Sequence, residues 1–386
     1  MFDPDGLPEL RKTLADRIHS DQKLFDQLRA EVQELKGRVR SIKPRSVTAT
    51  SLVATDAGNN KIAFDPFLVQ LVRVVDSYGK QLFLDAVSPT SDTDILSDSQ
   101  FDVTGAPKTP LGRVMVDLGK KKLSDLSHMI PAGKRTREEP ETVSPSWVLV
   151  YRDLCEWAVL YDRICYHTFA TDTLIVRDGL LRSKLFREEL FIELMNKIAT
   201  AMERTQKEDK RRLFLVGLAK HSKVLSRYQL ALAIEDILPG GDPVYVEIPR
   251  KLEAKAYVWP EYARGTEAGG EGEAPKFVAG TLHLVRFGNR KADPIWAVDI
   301  FQPQSDPKLV AEIFGYLLAD AINGFPVPLY PRCLQRAHEH AELVGFDMDI
   351  MQEEIFAGIR NALPTEKRTV LDEFRLNPDP SGRRYE

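Results

Sequence analysis

The stretch Asp172–Lys184 reads Asp-Thr-Leu-Ile-Val-Arg-Asp-Gly-Leu-Leu-Arg-Ser-Lys, and it leaves a folding chain few choices. Leu174, Ile175 and Val176 make the short apolar run of a buried strand, and Gly179 permits a sharp turn straight after it. Asp178 is thereby carried to the end of a central strand, where apolar neighbours solvate a carboxylate poorly. It needs a cation, a hydrogen-bond network or a raised pKa. Capping the turn, or a helix starting near Ser183, would meet that need without any chemistry. A second stretch of the same design argues for more. Leu52-Val53-Ala54-Thr55-Asp56-Ala57-Gly58-Asn59-Asn60 is again an apolar run that ends in an aspartate, with a glycine two residues on. On adjacent strands Asp56 and Asp178 would repel one another unless a divalent metal bridged them. Metal-assisted phosphoryl or phosphodiester chemistry is the commonest use of such an arrangement.

At 386 residues the chain has room for one large domain with appendages or for two modest ones. A net charge of −4 excludes a surface coated with phosphate-binding charge, so any nucleic acid has to be gripped locally. Cys155, Cys165 and Cys333 are widely spaced and lack paired metal-finger spacing, as expected of reduced thiols. The chain begins with acidic and polar residues, and no apolar run approaches the length of a bilayer. The reading is a cytoplasmic protein with no membrane anchor.

In chain order, Leu7 to about Val39 has the period of a long amphipathic helix, with Leu10, Leu14, Ile18, Leu24, Leu28, Val32 and Leu35 on its apolar face. Ser51–Asp56, Val69–Val75 and Gln81–Val87 read as an antiparallel meander, with Asp76-Ser77-Tyr78-Gly79 as the second turn. Ile95–Lys122 is a polar, helical connection and Gly133–Ser146 a charged loop punctuated by proline. Trp147–His167 is a strong helix, followed by the central strand, a helix over Ser183–Glu208 and a strand over Leu213–Leu218. That strand runs into Lys220-His221-Ser222-Lys223, with a helix to about Ile237. Val244–Ile248 and Ala254–Trp259 are short strand candidates, and Arg264–Lys276 is a Gly/Glu-rich excursion. Phe277–Phe287 and Ile295–Phe301 form a strand pair, and helices over Pro307–Asn323, Pro331–Val344 and Asp347–Ala362 close the fold. The class is mixed α/β. Residues 1–45 are expected as an N-terminal helical segment for dimerisation or docking, 46–362 as the main domain and 363–386 as a loose tail.

Three sequential strands with an aspartate on the first, then alternating helices and strands with further acids, follow the ribonuclease H-like plan. The chain also resembles the NurA nucleases. The resemblance rests on Thr55-Asp56-Ala57-Gly58, Arg177-Asp178-Gly179-Leu180-Leu181, Val216-Gly217-Leu218-Ala219-Lys220-His221-Ser222, and Tyr330-Pro331-Arg332-Cys333-Leu334 followed by Ala337-His338. These occur in the family's order, although Ala57-Gly58-Asn59 replaces the family's Gly-Ser directly after the aspartate. The resemblance implies a ribonuclease H-like (PIWI/NurA-like) sheet and a single-stranded endonuclease and 5′–3′ exonuclease acting on DNA with two Mn2+ (or Mg2+) ions. It places Asp56, Glu156, Asp178 and His338 at the metal, with Asp153 and Asp162 as alternatives to Glu156 on the same helix. A surface salt bridge is the plain alternative for Glu156, and a structural histidine for His338. Lys220 falls near the scissile phosphate and Tyr330 beside the phosphate or a base. His340 lies about 200° around the helix from His338, so one of the two faces the site.

The family works as a homodimer docked on a hexameric HerA-type ATPase, in DNA end processing or defence against foreign DNA. The same partners are expected here, since the chain carries no Gly-x-x-x-x-Gly-Lys-Ser/Thr phosphate loop of its own. Two other readings compete. One is a catalytically inactive nuclease-fold subunit that only binds DNA or docks a motor. The other is an unrelated metal-dependent phosphatase, which would need an Asp-x-Asp nucleophile motif that neither strand end supplies.

Overall fold

The structure is a computed structural model and describes residues 6–45, 50–64, 67–133, 146–257, 276–342, 345–365 and 367–368. Two helices open it, α1 (Leu7–Ser20) and α2 (Gln22–Gln33), followed by the short strand β1 (Arg40–Ser41) and the strands β2 (Thr50–Phe64), β3 (Phe67–Asp76) and β4 (Gln81–Val87). Helices α3 (Thr93–Asp98), α4 (Pro110–Asp117), α5 (Leu123–Leu126) and α6 (Ser146–Tyr166) precede β5 (Asp172–Asp178). Then come α7 (Leu190–Glu208), β6 (Leu213–Ala219), α8 (Lys223–Ile234), β7 (Val244–Glu247), α9 (Arg250–Lys255), β8 (Gly280–Arg286) and β9 (Trp296–Phe301). The last helices are α10 (Pro307–Ala321), α11 (Arg332–Ala341) and α12 (Gly345–Ala362).

The described strands form one sheet in the order β1-β7-β8-β9-β6-β5-β2-β3-β4. The meander is antiparallel, and β5 and β6 run parallel to β2 beside it. The stretch β4-β3-β2-β5-β6 is the ribonuclease H-like arrangement. Alternation along β5 and β6 divides the core between the two faces. Ile175 and Leu215 pack under α6 and α7, whereas Leu174, Val176, Phe214, Val216 and Leu218 pack with residues of α10 and α11. A third cluster joins α2, α8 and α9 to β7–β9.

Several expectations are corrected. The Leu7–Val39 helix breaks at Asp21, and Val32 and Leu35 at its far end are buried beside α8 while Leu10, Leu14 and Ile18 stay exposed. The strand carrying Asp56 does not stop there: β2 continues to Phe64, pairing with β5 as far as Thr55 and with β3 from Thr55 onward. Gly58-Asn59-Asn60 lies inside the β2–β3 ribbon, where cross-strand bonds override its turn composition. Residues 254 and 255 belong to α9 rather than to a strand, and 183–189 precede α7 instead of opening it. Most of the loops expected at 133–146 and 264–276 fall outside the described residues, as does most of the tail.

Candidate active site at the end of the central strands

The site is built on the register of two parallel strands. Thr55 of β2 pairs with Arg177 of β5, so Asp56 and Asp178 are the next residues along neighbouring strands. On the other side Asp178 pairs with Leu218 of β6, and Lys220 follows just past that strand's end. Because Asp178 is even with Leu174 and Val176, it projects from the face that α10 and α11 cover. Its carboxylate is part-exposed. Lys220 Nζ lies 3.8 Å from Oδ2, and the Tyr330 hydroxyl donates to Oδ1 at 3.5 Å. Both contacts are longer than the ~2.7–2.9 Å of a charge-assisted hydrogen bond.

Tyr330 is held firmly although its hydroxyl contact is long. It is fully buried, meets Trp296 edge-on with ring centroids 4.8 Å apart, and its ring lies 5.3 Å from Lys220 Nζ. Trp296 opens β9 beside the end of β6, since Ala297 pairs with Ala219. Lys220 thus extends along an aromatic wall toward the carboxylate. Ser222, at the N-cap of α8, is buried, and its hydroxyl makes no hydrogen bond.

Helix α11 packs across β2 and β3 on the same face. Leu334, Ala337 and Ala341 are buried, which leaves His338 on the flank, exposed to solvent and about 100° around from Ala337. The His340 ring lies over Gly79 in the β3–β4 turn, about 3.3 Å from where a glycine Cβ would stand. His340 is therefore engaged at that turn.

Glu156 is not brought to this group. Arg177, next to Asp178 in the strand, points to the opposite face, and its Nη2 donates to Glu156 Oε2 at 3.1 Å. The same guanidinium lies 4.3 Å from the Trp157 ring centroid, and Nη1 donates to the Leu180 carbonyl at 3.1 Å. Glu156 is buried under the sheet as the partner of Arg177. Of the alternatives, Asp162 pairs with Arg113 and His167, and Asp153 with Arg152.

Sequence reasoning missed the device that fixes the turn after Asp178. Gly179 has φ +106°, and the chain folds back over Gly217, where an added Cβ would stand 2.4 Å from the Gly179 carbonyl. The turn delivers the Leu181 N–H to Asp299 Oδ2 at 3.1 Å, and Arg182 clasps both Asp299 oxygens at 2.7 and 2.6 Å while also pairing with Glu253. All three charged side chains are fully buried. Burial alone would lower the Arg182 pKa, but Asp299 and Glu253 outweigh it and hold the guanidinium well above its ordinary value. A glycine inside the apolar strand Leu-Phe-Leu-Val-Gly-Leu-Ala was the available signal.

The donor set suits a hard divalent cation. Asp178 offers carboxylate oxygens with a route to solvent, and the register sets the backbone of Asp56 beside it. Among the described residues no group of three or more His, Cys, Asp or Glu side chains is gathered to hold a metal ion, and no helix is long and apolar enough to cross a membrane.

No family model and no curated protein matches the sequence. Among solved structures, the chain is similar to the NurA nuclease from Sulfolobus solfataricus, with 13% identity and a TM-score of 0.39 over 92% of this chain and 98% of that one. NurA bound to dAMP and manganese matches 96% of this chain and 100% of its own, with 10% identity and a TM-score of 0.42. An Argonaute from A. aeolicus matches 78% of this chain and 29% of its own, with 10% identity and a TM-score of 0.27. The chain is similar to the NurA structures over nearly their whole length, and its chemistry has to be argued from its own residues.

Proposed function

We propose that this protein is a metal-dependent DNA nuclease that hydrolyses phosphodiester bonds at the end of β2 and β5. The observation that carries the reading is the register placing Asp56 and Asp178 side by side, with Lys220 Nζ 3.8 Å from the Asp178 carboxylate. Asp56 and Asp178 would hold Mn2+ or Mg2+, which supplies an activated water and a Lewis acid at the phosphoryl oxygen. Tyr330 orients Asp178 through its hydroxyl. Lys220, extended along the Tyr330 ring, reaches a non-bridging oxygen and offsets the charge that grows there. His338, on the solvent-facing flank of α11, is proposed to complete the metal shell or to carry a proton. Glu156 is proposed instead to support the site from behind, by fixing Arg177.

The motif order of the sequence extends the reading to single-stranded endonuclease and 5′–3′ exonuclease activity. It also suggests work beside a HerA-type hexameric translocase, in DNA end processing or defence against foreign DNA. A homodimer is proposed as well, supported by the exposed Leu10, Leu14 and Ile18 stripe of α1. Purified protein should degrade single-stranded DNA with manganese and stop when a chelator is added. Absence of cleavage across manganese and magnesium would favour the non-catalytic reading.

A further inference from the structure

The loop between α10 and α11 ends at Tyr330 and is held in shape with unusual thoroughness. Buried Gln335 accepts from the Val327 N–H at 2.8 Å and donates to the carbonyls of Val327 at 3.0 Å and Tyr330 at 2.9 Å. Trp296 Nε1 donates to the Leu329 carbonyl at 2.7 Å. Gly324 packs so closely that a Cβ would stand 2.3 Å from the Tyr330 carbonyl, and Leu329 is kept at φ +58°, a costly region for a branched side chain. Pro326 and Pro328 restrict the backbone further.

This rigid loop turns its apolar side chains outward. Phe325 is 82% exposed, and Ile322 and Val327 beside it are 57% and 41% exposed. The segment from Ile322 to Pro331 carries no charged residue. A loop fastened at its base and apolar at its tip is built to present a surface. Its position says to what: Tyr330 touches Asp178, and five residues of chain keep Phe325 within about 18 Å of Tyr330.

We infer that Phe325 is a stacking platform for a nucleobase of the strand being cut, a few nucleotides from the scissile phosphate. The inference rests on the nuclease reading and deepens it. Lys220 and the carboxylate edge grip the backbone, while an aromatic face accepts any base, because every base offers a π-surface. Fixing the loop beforehand removes the ordering cost that a mobile tip would add on binding. Single-stranded substrate is then preferred, since paired bases are already stacked.

The test is fluorescence anisotropy of a labelled single-stranded 12-mer, with calcium as the divalent ion and melting temperature as a check on folding. Phe325→Ala should bind about 5- to 100-fold more weakly, whereas Phe325→Trp should retain wild-type affinity. On a fully abasic strand of equal length the two variants and the wild type should bind alike. Binding by Phe325→Ala within twofold of wild type, an equal loss on the abasic strand, or no binding by the wild type would each overturn the inference. The first of these would mark the tip as a protein-docking surface. Cleavage is measured separately with manganese. Stacking that depends on Phe325 without any cleavage would remove the nuclease reading and, with it, the scissile strand, leaving Phe325 only as a base platform of a DNA-binding protein. Cleavage with binding indifferent to Phe325 would keep the nuclease reading and overturn this inference alone.

Discussion

The turn that follows β5 joins two groups of charges made from the same kinds of residue. On one face Asp178 meets Lys220 and Tyr330 at 3.8 and 3.5 Å and is part-exposed. On the other, Arg182 and Asp299 meet at 2.6 and 2.7 Å with no exposure. A fully buried ion pair with short bonds has no capacity left for a ligand, and losing one partner leaves a charge stranded. A part-exposed carboxylate is screened by solvent, so its pairing with Lys220 contributes little to folding. The contrast separates the part of the turn that holds the fold from the part proposed to carry out chemistry.

The sharpest way to break this comparison is to remove one carboxylate from each group. Asp178→Asn should abolish cleavage while leaving the melting temperature within a few degrees of wild type. Asp299→Asn should lower stability by about 1–3 kcal/mol in denaturant titrations, because an amide NH2 then faces the Arg182 guanidinium and the two short charge-assisted bonds are lost, while Glu253 remains as the counter-charge. If Asp178→Asn unfolded the protein and Asp299→Asn did not, the assignment of the two groups would be reversed.

Lys220 offers a finer cut. Lys220→Ala should reduce maximal turnover by roughly 10²–10³-fold, with a smaller loss of DNA affinity, since the contact strengthens as the transition state forms. A variant that binds more weakly but turns over normally at saturation would make Lys220 a backbone-positioning residue.

Acid should also act on a buried group on the same face of the sheet as Asp178. His283 lies among Tyr245 and Phe314, with Nδ1 2.9 Å from the Thr281 carbonyl, and burial lowers its pKa to about 4. The folded value lies below the unfolded one. Its contribution is therefore complete above pH 6.5, is lost as pH falls toward 4, and amounts to at most about 3 kcal/mol. Unfolding free energies measured at pH 7 and 4.5 should fall less for His283→Leu than for wild type, and equal losses would contradict the assignment.

Glu156→Gln is the mildest probe. It should cost about 1–3 kcal/mol through the weakened pair with Arg177 and leave the manganese dependence of cleavage unchanged. A shifted manganese requirement would return Glu156 to the metal.

The parts legible in the sequence were those encoded locally. Leu174–Val176 followed by Asp178 and Gly179 announced a buried strand with an acid at its end, and the position of Lys220 near Asp178 was legible because it directly follows another such strand. Tyr330 depended on motif order. Asp56 was legible on a strand beside that of Asp178, as the register has it, but its strand was cut short, because Gly58-Asn59-Asn60 has turn composition and only pairing with β3 carries it through. Glu156 was placed on helical phase, which says nothing about which face of a sheet the helix covers. The two-residue period of β5 sends Arg177 to that face and Asp178 to the other. The Arg182, Glu253 and Asp299 group was invisible, since its members come from three distant segments that only the sheet order β9-β6-β5 and the fold-back over Gly217 bring together.

Manganese binding tests the central claim most directly. Titration of the wild type and Asp178→Asn with Mn2+, followed by the loss of the free-ion paramagnetic resonance signal, counts bound ions without any substrate. The account predicts saturable binding by the wild type and a loss of at least tenfold in affinity for the variant. Equal binding by both proteins, or none by the wild type, would contradict a metal centre at the end of β2 and β5.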